Sequence, residues 1–171
     1  WESAAIFQGR GVSLGADEIV TRLTDRVLDQ IRAEVPWRPG ARELLSSVRT
    51  AQIPTALVTM SVRRMARYVA DAVGFEAFDV IVAGDDVTHS KPHPEPYLKA
   101  AALMDVAPPH VLALEDSHAG VTSAHAAGCM VVMIPDLLAA NDDVRAKVHH
   151  IVDSLHDVRT LVSSALADGG T

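Results

Sequence analysis

Val111-Leu112-Ala113-Leu114-Glu115-Asp116-Ser117-His118-Ala119-Gly120 joins a short apolar run to an acidic pair, then to small residues that open a helical pattern. Four apolar residues without alternation are what a strand covered on both faces presents. An acidic pair just past such a strand lies where open α/β sheets bind ligands, beyond the carboxyl ends of their strands. The same arrangement recurs on either side. Upstream, Thr55-Ala56-Leu57-Val58-Thr59 is an apolar run followed by helical spacing from Val62 to Val73 and a stop at Gly74. Asp79-Val80-Ile81-Val82-Ala83 is the next run, closed by Gly84-Asp85-Asp86. After a loop rich in proline and histidine, Tyr97 to Met104 reads as a helix. Downstream, a helix from about Ala119 to Ala127 ends at Gly128, and Met130 to Ile134 is another apolar run. Ile151-Val152 predicts one more short strand, and Val158 to Leu166 a closing helix. Short apolar runs alternating with helices predict an α/β fold with a doubly wound, Rossmann-like parallel sheet.

Residues 1–38 read differently. Ile19, Leu23, Val27, Leu28, Ile31 and Val35 fall at helical spacing, with Asp17 as the expected N-cap. Pro36-Trp37-Arg38-Pro39-Gly40 is a stiff turn that suits a domain junction, and residues 1–16 show no clear pattern. The expected division is a partial helical lobe over residues 1–38 and an α/β core over residues 39–171.

Composition narrows the function classes. The 171 residues carry a formal net charge of −7, which disfavours nucleic acid, whose phosphates select basic surfaces. A phosphorylated small molecule would need local cationic help here, from a lysine or a metal ion. The longest apolar runs, such as Val131-Val132-Met133-Ile134, fall far short of the roughly 20 residues that a membrane span requires. With no export-type leader and a single cysteine, Cys129, a cytoplasmic protein is expected. The chain opens on Trp1 rather than Met, so further residues upstream are expected.

Three polar groups close successive apolar runs. They are Thr59, with Met60 and Ser61 leading into a helix; Lys91, in Ser90-Lys91-Pro92-His93-Pro94; and Glu115 with Asp116. Each alone has an ordinary structural explanation. Thr59 can cap a helix, Lys91 can be a solvated loop lysine, and acids favour the dipole of a following helix. Together they predict one crevice suited to phosphoryl transfer. A hydroxyl and backbone N–H groups at a helix N-terminus bind phosphate oxygens. A lysine offsets the phosphate charge and steadies a carboxylate nucleophile. Neighbouring carboxylates hold Mg²⁺ directly and through water. The element missing is the nucleophile, an aspartate or an activated water.

The order Thr59, then Lys91-Pro92-His93-Pro94, then Glu115-Asp116-Ser117 with Gly120 resembles the second, third and fourth motifs of the haloacid dehalogenase superfamily. The variant is like that of its beta-phosphoglucomutase and phosphoglycolate phosphatase branch. The likeness runs over about residues 37–135 and includes Pro39-Gly40 before a helix. It implies a Mg²⁺-dependent phosphohydrolase acting on a small phosphorylated metabolite through an aspartyl-phosphate. By this resemblance Thr59, with Met60 and Ser61, binds the transferring phosphoryl group, and Lys91 contacts both that group and the nucleophilic aspartate. Asp116 is a direct Mg²⁺ ligand, supported by Glu115 through water or a bond behind the ligand. Ser117 and Gly120 shape the loop, and the helices before Pro36 are the remnant of a mobile cap. The family's first motif, Asp-x-Asp-Gly-Thr after an N-terminal strand, occurs nowhere in these residues. No catalytic aspartate is therefore assigned, and the strand carrying the nucleophile is expected to lie outside the sequence.

Three rivals remain at this stage. A phosphosugar mutase uses the same core and returns the phosphoryl group to another hydroxyl. A non-catalytic relative would only bind a phosphorylated ligand. A phospho-receiver module carries its acidic pair near the first strand, and the order here disagrees with that. Other residues are expected to be structural. Asp85-Asp86 reads as a surface turn, Arg63 and Arg64 as solvated helix residues, and Arg10 as a loop residue without a substrate contact. Cys129 reads as an inert buried thiol and His93 as a local hydrogen-bonding group. No zinc site is expected from the eight histidines, and Gly9-Arg10-Gly11 is too short for a dinucleotide fingerprint. Oligomeric state is not legible.

Overall fold

Strand β4 (Met130–Met133) shows why the apolar runs carry no polar alternation. In the structure, a computed structural model that describes residues 2–168, Val131 and Met133 enter one core cluster while Val132 and Ile134 enter another. Successive side chains of a strand point to opposite faces, so both faces here are covered. The first cluster joins them to Val121 and Ala124 of α6 (His118–Ala126). The second joins them to Leu44 of α3 (Ala41–Thr50) and Val158 of α8 (Leu155–Asp168). Each fully buried side chain of this kind contributes roughly 1.5–3 kcal/mol. Helices on both faces of parallel strands make this the expected doubly wound α/β core.

Every described strand pair is parallel. β3 (Leu112–Glu115) pairs with β4, with Leu112 opposite Met130 and Glu115 opposite Met133, and β4 pairs in turn with β5 (His150–Ile151). A second ladder joins β1 (Ala56–Val58) to β2 (Val80–Val82), with Leu57 opposite Ile81. Among the described residues no backbone ladder links β1 to β3. Val58 nevertheless packs against the first core cluster, so β1 shares the core of the other sheet. The crossovers are helical: α4 (Arg63–Ala72) between β1 and β2, and α5 (Glu95–Leu103) between β2 and β3. α7 (Asp142–Arg145) precedes β5.

The chain divides into two compact units, with the boundary between Pro36 and Trp37. The first holds α1 (Glu2–Gly9) and α2 (Ala16–Ala33), which pack together. Three expectations are corrected here. Gly15, not Asp17, is the N-cap of α2, and Asp17 sits with Glu18 in the first turn, where acids meet the positive end of the helix dipole. Helix α2 also stops at Ala33, so Val35 lies outside it. Residues 2–9, expected to lack a pattern, form α1. Ala4-Ala5-Ile6-Phe7 is a contiguous apolar block without the spacing that marks an amphipathic helix.

In the second unit the Pro39-Gly40 turn opens α3. Gly40 has φ 82°, and a Cβ there would run into the backbone of Leu155 and His156. The Pro39 carbonyl accepts from Leu155 N–H at 3.1 Å, so the unit's entry is pinned to the start of α8. The expected surface turn at Asp85-Asp86 is instead a tie between β2 and α4. Asp86 accepts from the Arg63 guanidinium and, at 2.7 Å, from Ala83 N–H, while Asp85 accepts from Arg63 N–H at 2.9 Å. Arg63, expected to be solvated, also donates to the Ile81 carbonyl at 3.1 Å. Cys129 is a free, buried thiol, as expected, and burial pushes its pKa up.

Candidate active site

The carboxyl ends of β1 and β3 carry the groups singled out in the sequence. Thr59 follows β1 directly, and its N–H continues the ladder by donating to the Val82 carbonyl at 2.9 Å. The Thr59 Oγ1 accepts from Ser61 N–H at 3.1 Å. An oxygen that accepts there keeps its own proton free to donate elsewhere. The loop is held from the far side, because Gly84 N–H donates to the Ser61 carbonyl at 2.9 Å. Gly84 lies so close to the Met60 carbonyl that a Cβ would collide with it.

Lys91 reaches this loop from the segment after β2. Its backbone N–H approaches Met60 Sδ at 3.4 Å, and its Nζ donates to the Val58 carbonyl at 3.2 Å. The same Nζ forms an ion pair with Glu115 Oε1 at the end of β3, and the Lys91 side chain is only 11% exposed. The loop that carries Lys91 is anchored at both sides. Ser123 Oγ of α6 donates to the His93 carbonyl at 2.6 Å, and Glu95 accepts from Thr88 N–H at 2.7 Å and from His89 N–H at 2.9 Å.

Glu115 is the buried hub of the arrangement. Its Oε1 accepts from Lys91 Nζ and from the Tyr97 hydroxyl, and Ser117 Oγ stands 3.4 Å from its Oε2. Gly120 lies directly against the carboxylate, where a Cβ would fall on it. Ser117 caps α6, its Oγ accepting from Gly120 N–H at 3.1 Å, which fixes how closely the helix approaches. Asp116, the next residue, is exposed.

Tyr97 was not picked out by sequence reasoning. It lies in the first turns of α5, and its ring centroid is 5.0 Å from Lys91 Nζ, within cation–π range. Burial, and then the charge of Glu115, raise its phenol well above the ordinary value, so it stays a neutral donor. The available signal was a hydroxyl-bearing aromatic on the helix that follows the lysine loop. Direct contacts thus bring the segment around Thr59, Lys91 and Glu115 together. Glu115, expected to stand beside a metal, spends one oxygen on Lys91 and Tyr97, and the exposed carboxylate is that of Asp116.

The profile of the haloacid dehalogenase-like hydrolase family matches residues 1–128. The chain is 35% identical over 136 residues to Protein CbbY of Rhodobacter capsulatus, covering 76% of this chain and 60% of that protein. It is 41% identical over 96 residues to hexitol phosphatase A of Escherichia coli (strain K12), covering 56% of this chain and 44% of the relative. Among solved structures, a CbbY variant from Rhodobacter sphaeroides in complex with xylulose-(1,5)bisphosphate superposes with a TM-score of 0.75 and 31% identity, over 84% of this chain and 66% of that one. The chain therefore spans about half to two thirds of the length of these relatives. No described helix is long and apolar enough to cross a membrane.

Proposed function

The chain belongs to the haloacid dehalogenase-like hydrolase family, and from that premise we propose that it is the greater part of a Mg²⁺-dependent phosphatase of small phosphorylated sugars. The single observation that carries this is the position of Lys91. One buried ammonium touches the end of β1 beside Thr59 and the end of β3 beside Asp116. A phosphate set between those ends would meet a hydroxyl, an ammonium and a hard carboxylate. Those are the groups that a phosphoryl group and its magnesium need.

Each residue has a distinct task in this scheme. The Thr59 hydroxyl donates to a phosphate oxygen, with Met60 and Ser61 supplying the loop around it. Lys91 neutralises a second oxygen, and Glu115 and Tyr97 fix the direction of its ammonium. Asp116 would hold Mg²⁺, which offsets charge on the transferring group when bound. One exposed carboxylate fits an ion that takes one or two carboxylates and keeps several waters. The nucleophile would be the first aspartate of an Asp-x-Asp segment outside these residues. Its carboxylate attacks phosphorus as the ester oxygen leaves, and water then cleaves the acyl phosphate.

The substrate class draws support from the relatives, a hexitol phosphatase and a protein crystallised with a pentulose bisphosphate. Residues 1–36 would belong to a helical cap unit, and the buried thiol of Cys129 fits a reducing cytoplasm. The test is phosphate release from a panel of sugar phosphates by the full-length protein, with Mg²⁺ and with chelator. Glucose 1-phosphate belongs in the panel, because isomerisation without release would identify a mutase. Turnover that survives both chelation and Lys91→Ala would refute the scheme.

A further inference from the structure

His89, His93 and Glu95 surround the lysine loop, and each offers a ligand atom within 4.8 Å of the others. We propose that these three side chains form a binding site for a borderline divalent metal ion, of the Zn²⁺, Co²⁺ or Ni²⁺ type. The site is independent of the phosphoryl-transfer scheme and stands or falls without it. His89 and His93 are four residues apart, a spacing already legible in the sequence and contrary to the expectation that the histidines form no zinc site. They flank Ser90-Lys91-Pro92 on an irregular loop, and the fold of that loop, not a helix face, brings their rings together. The ring centroids are 4.5 Å apart and the planes are tilted by 32°.

The carboxylate is already organised for this role. Glu95 is clamped by the backbone N–H groups of Thr88 and His89, so its oxygens cannot swing into solvent without breaking both bonds. His89 Nδ1 stands 2.8 Å from Glu95 Oε2, so these two donor atoms already lie side by side and need only part slightly to share an ion. His93 Nδ1 is held by Glu95 N–H at a longer 3.2 Å, which positions the ring. Three donors with bonds of about 2.1 Å sit roughly 3–3.5 Å apart, so the exposed imidazoles close inward by about 1.5 Å on binding. Two imidazoles and one carboxylate select zinc-like ions, whereas Mg²⁺ prefers oxygen and dehydrates reluctantly. With three protein ligands, the fourth position stays open to water.

The experiment is a calorimetric titration of the metal-stripped protein with Zn²⁺ in excess Mg²⁺, repeated with Co²⁺ to read its visible spectrum. One ion per chain is expected, unaffected by Mg²⁺. His89→Ala, His93→Ala and Glu95→Gln should each weaken binding by at least about tenfold, the scale on which even outer partners of a ligand matter. His110→Ala and His125→Ala, at exposed histidines elsewhere in the fold, should not change it, nor should Asp116→Asn. Circular dichroism checks that the variants fold. Absence of binding, displacement by Mg²⁺, loss in the control variants, or retention in the His89 and His93 variants would each overturn the site.

Discussion

The ammonium of Lys91 and the carboxylate of Glu115 form a largely buried ion pair, their side chains 11% and 6% exposed. The pair spans two ladders that share no backbone hydrogen bonds among the described residues. It therefore ties the two ladders together whatever reaction the protein performs. Removing one partner leaves the other charge buried, so Lys91→Ala should cost about 3–5 kcal/mol. Replacing both, with Lys91→Met and Glu115→Gln, should recover much of that. Urea denaturation of the native protein and these two variants measures it, and a double variant no more stable than Lys91→Ala would show that the pair itself is not the cause.

Tyr97 is the second donor to Glu115. Tyr97→Phe keeps the ring and its packing but deletes one hydrogen bond to a buried carboxylate, at a cost of about 1–3 kcal/mol. If the phenol also aims Lys91, turnover of the full-length protein should fall with little change in KM. Wild-type stability in Tyr97→Phe would mean that the hydroxyl contributes nothing to the buried cluster.

The fold was legible because Val131 to Ile134 and Leu112 to Leu114 are apolar on both faces, and a strand sandwiched between helices has no other solution. Order along the chain singled out Lys91 and Glu115, and the structure joins the Lys91 ammonium to the Glu115 carboxylate and to the Val58 carbonyl beside Thr59. What escaped depends on contacts across the chain. Arg63 and Asp86 read as two unrelated surface residues until the 3-10 turn at Gly84–Asp86 sets them face to face. Tyr97 reads as a helix residue until the neighbouring β3 brings Glu115 to its hydroxyl. Helix α1 escaped because its apolar residues are contiguous, which carries no period to detect.

Gly120 tests how tightly the acidic turn is packed. A methyl group there has nowhere to go except into the Glu115 carboxylate. Gly120→Ala should destabilise by about 1–3 kcal/mol through overpacking, despite the better helix propensity of alanine. An unchanged denaturation midpoint would mean that the carboxylate yields freely.

Asp116 makes the opposite prediction. It is exposed, so Asp116→Asn should change stability by no more than about 0.5 kcal/mol. Magnesium-dependent turnover of p-nitrophenyl phosphate by the full-length protein should nevertheless be abolished, since the exposed charge is the one available to the ion. Parent-level turnover in this variant would remove Asp116 from the metal site.

The Arg63–Asp86 tie predicts an acid dependence with a definite sign. The hydrogen bond from Arg63 is the largest influence holding the Asp86 carboxyl below its ordinary range. A carboxyl with a lowered pKa in the folded state contributes stability above its unfolded pKa of about 3.9 and loses it as pH falls through the lower folded value. The native protein should therefore exceed Asp86→Asn in stability near neutrality, and the gap should narrow as pH drops below about 4. Arg63→Ala should remove most of the same gap, because it takes away the partner that lowers the pKa. Urea midpoints collected between about pH 7 and about pH 3 test this directly, and a gap that stays constant across that range would show that Asp86 titrates alike in the folded and unfolded chains.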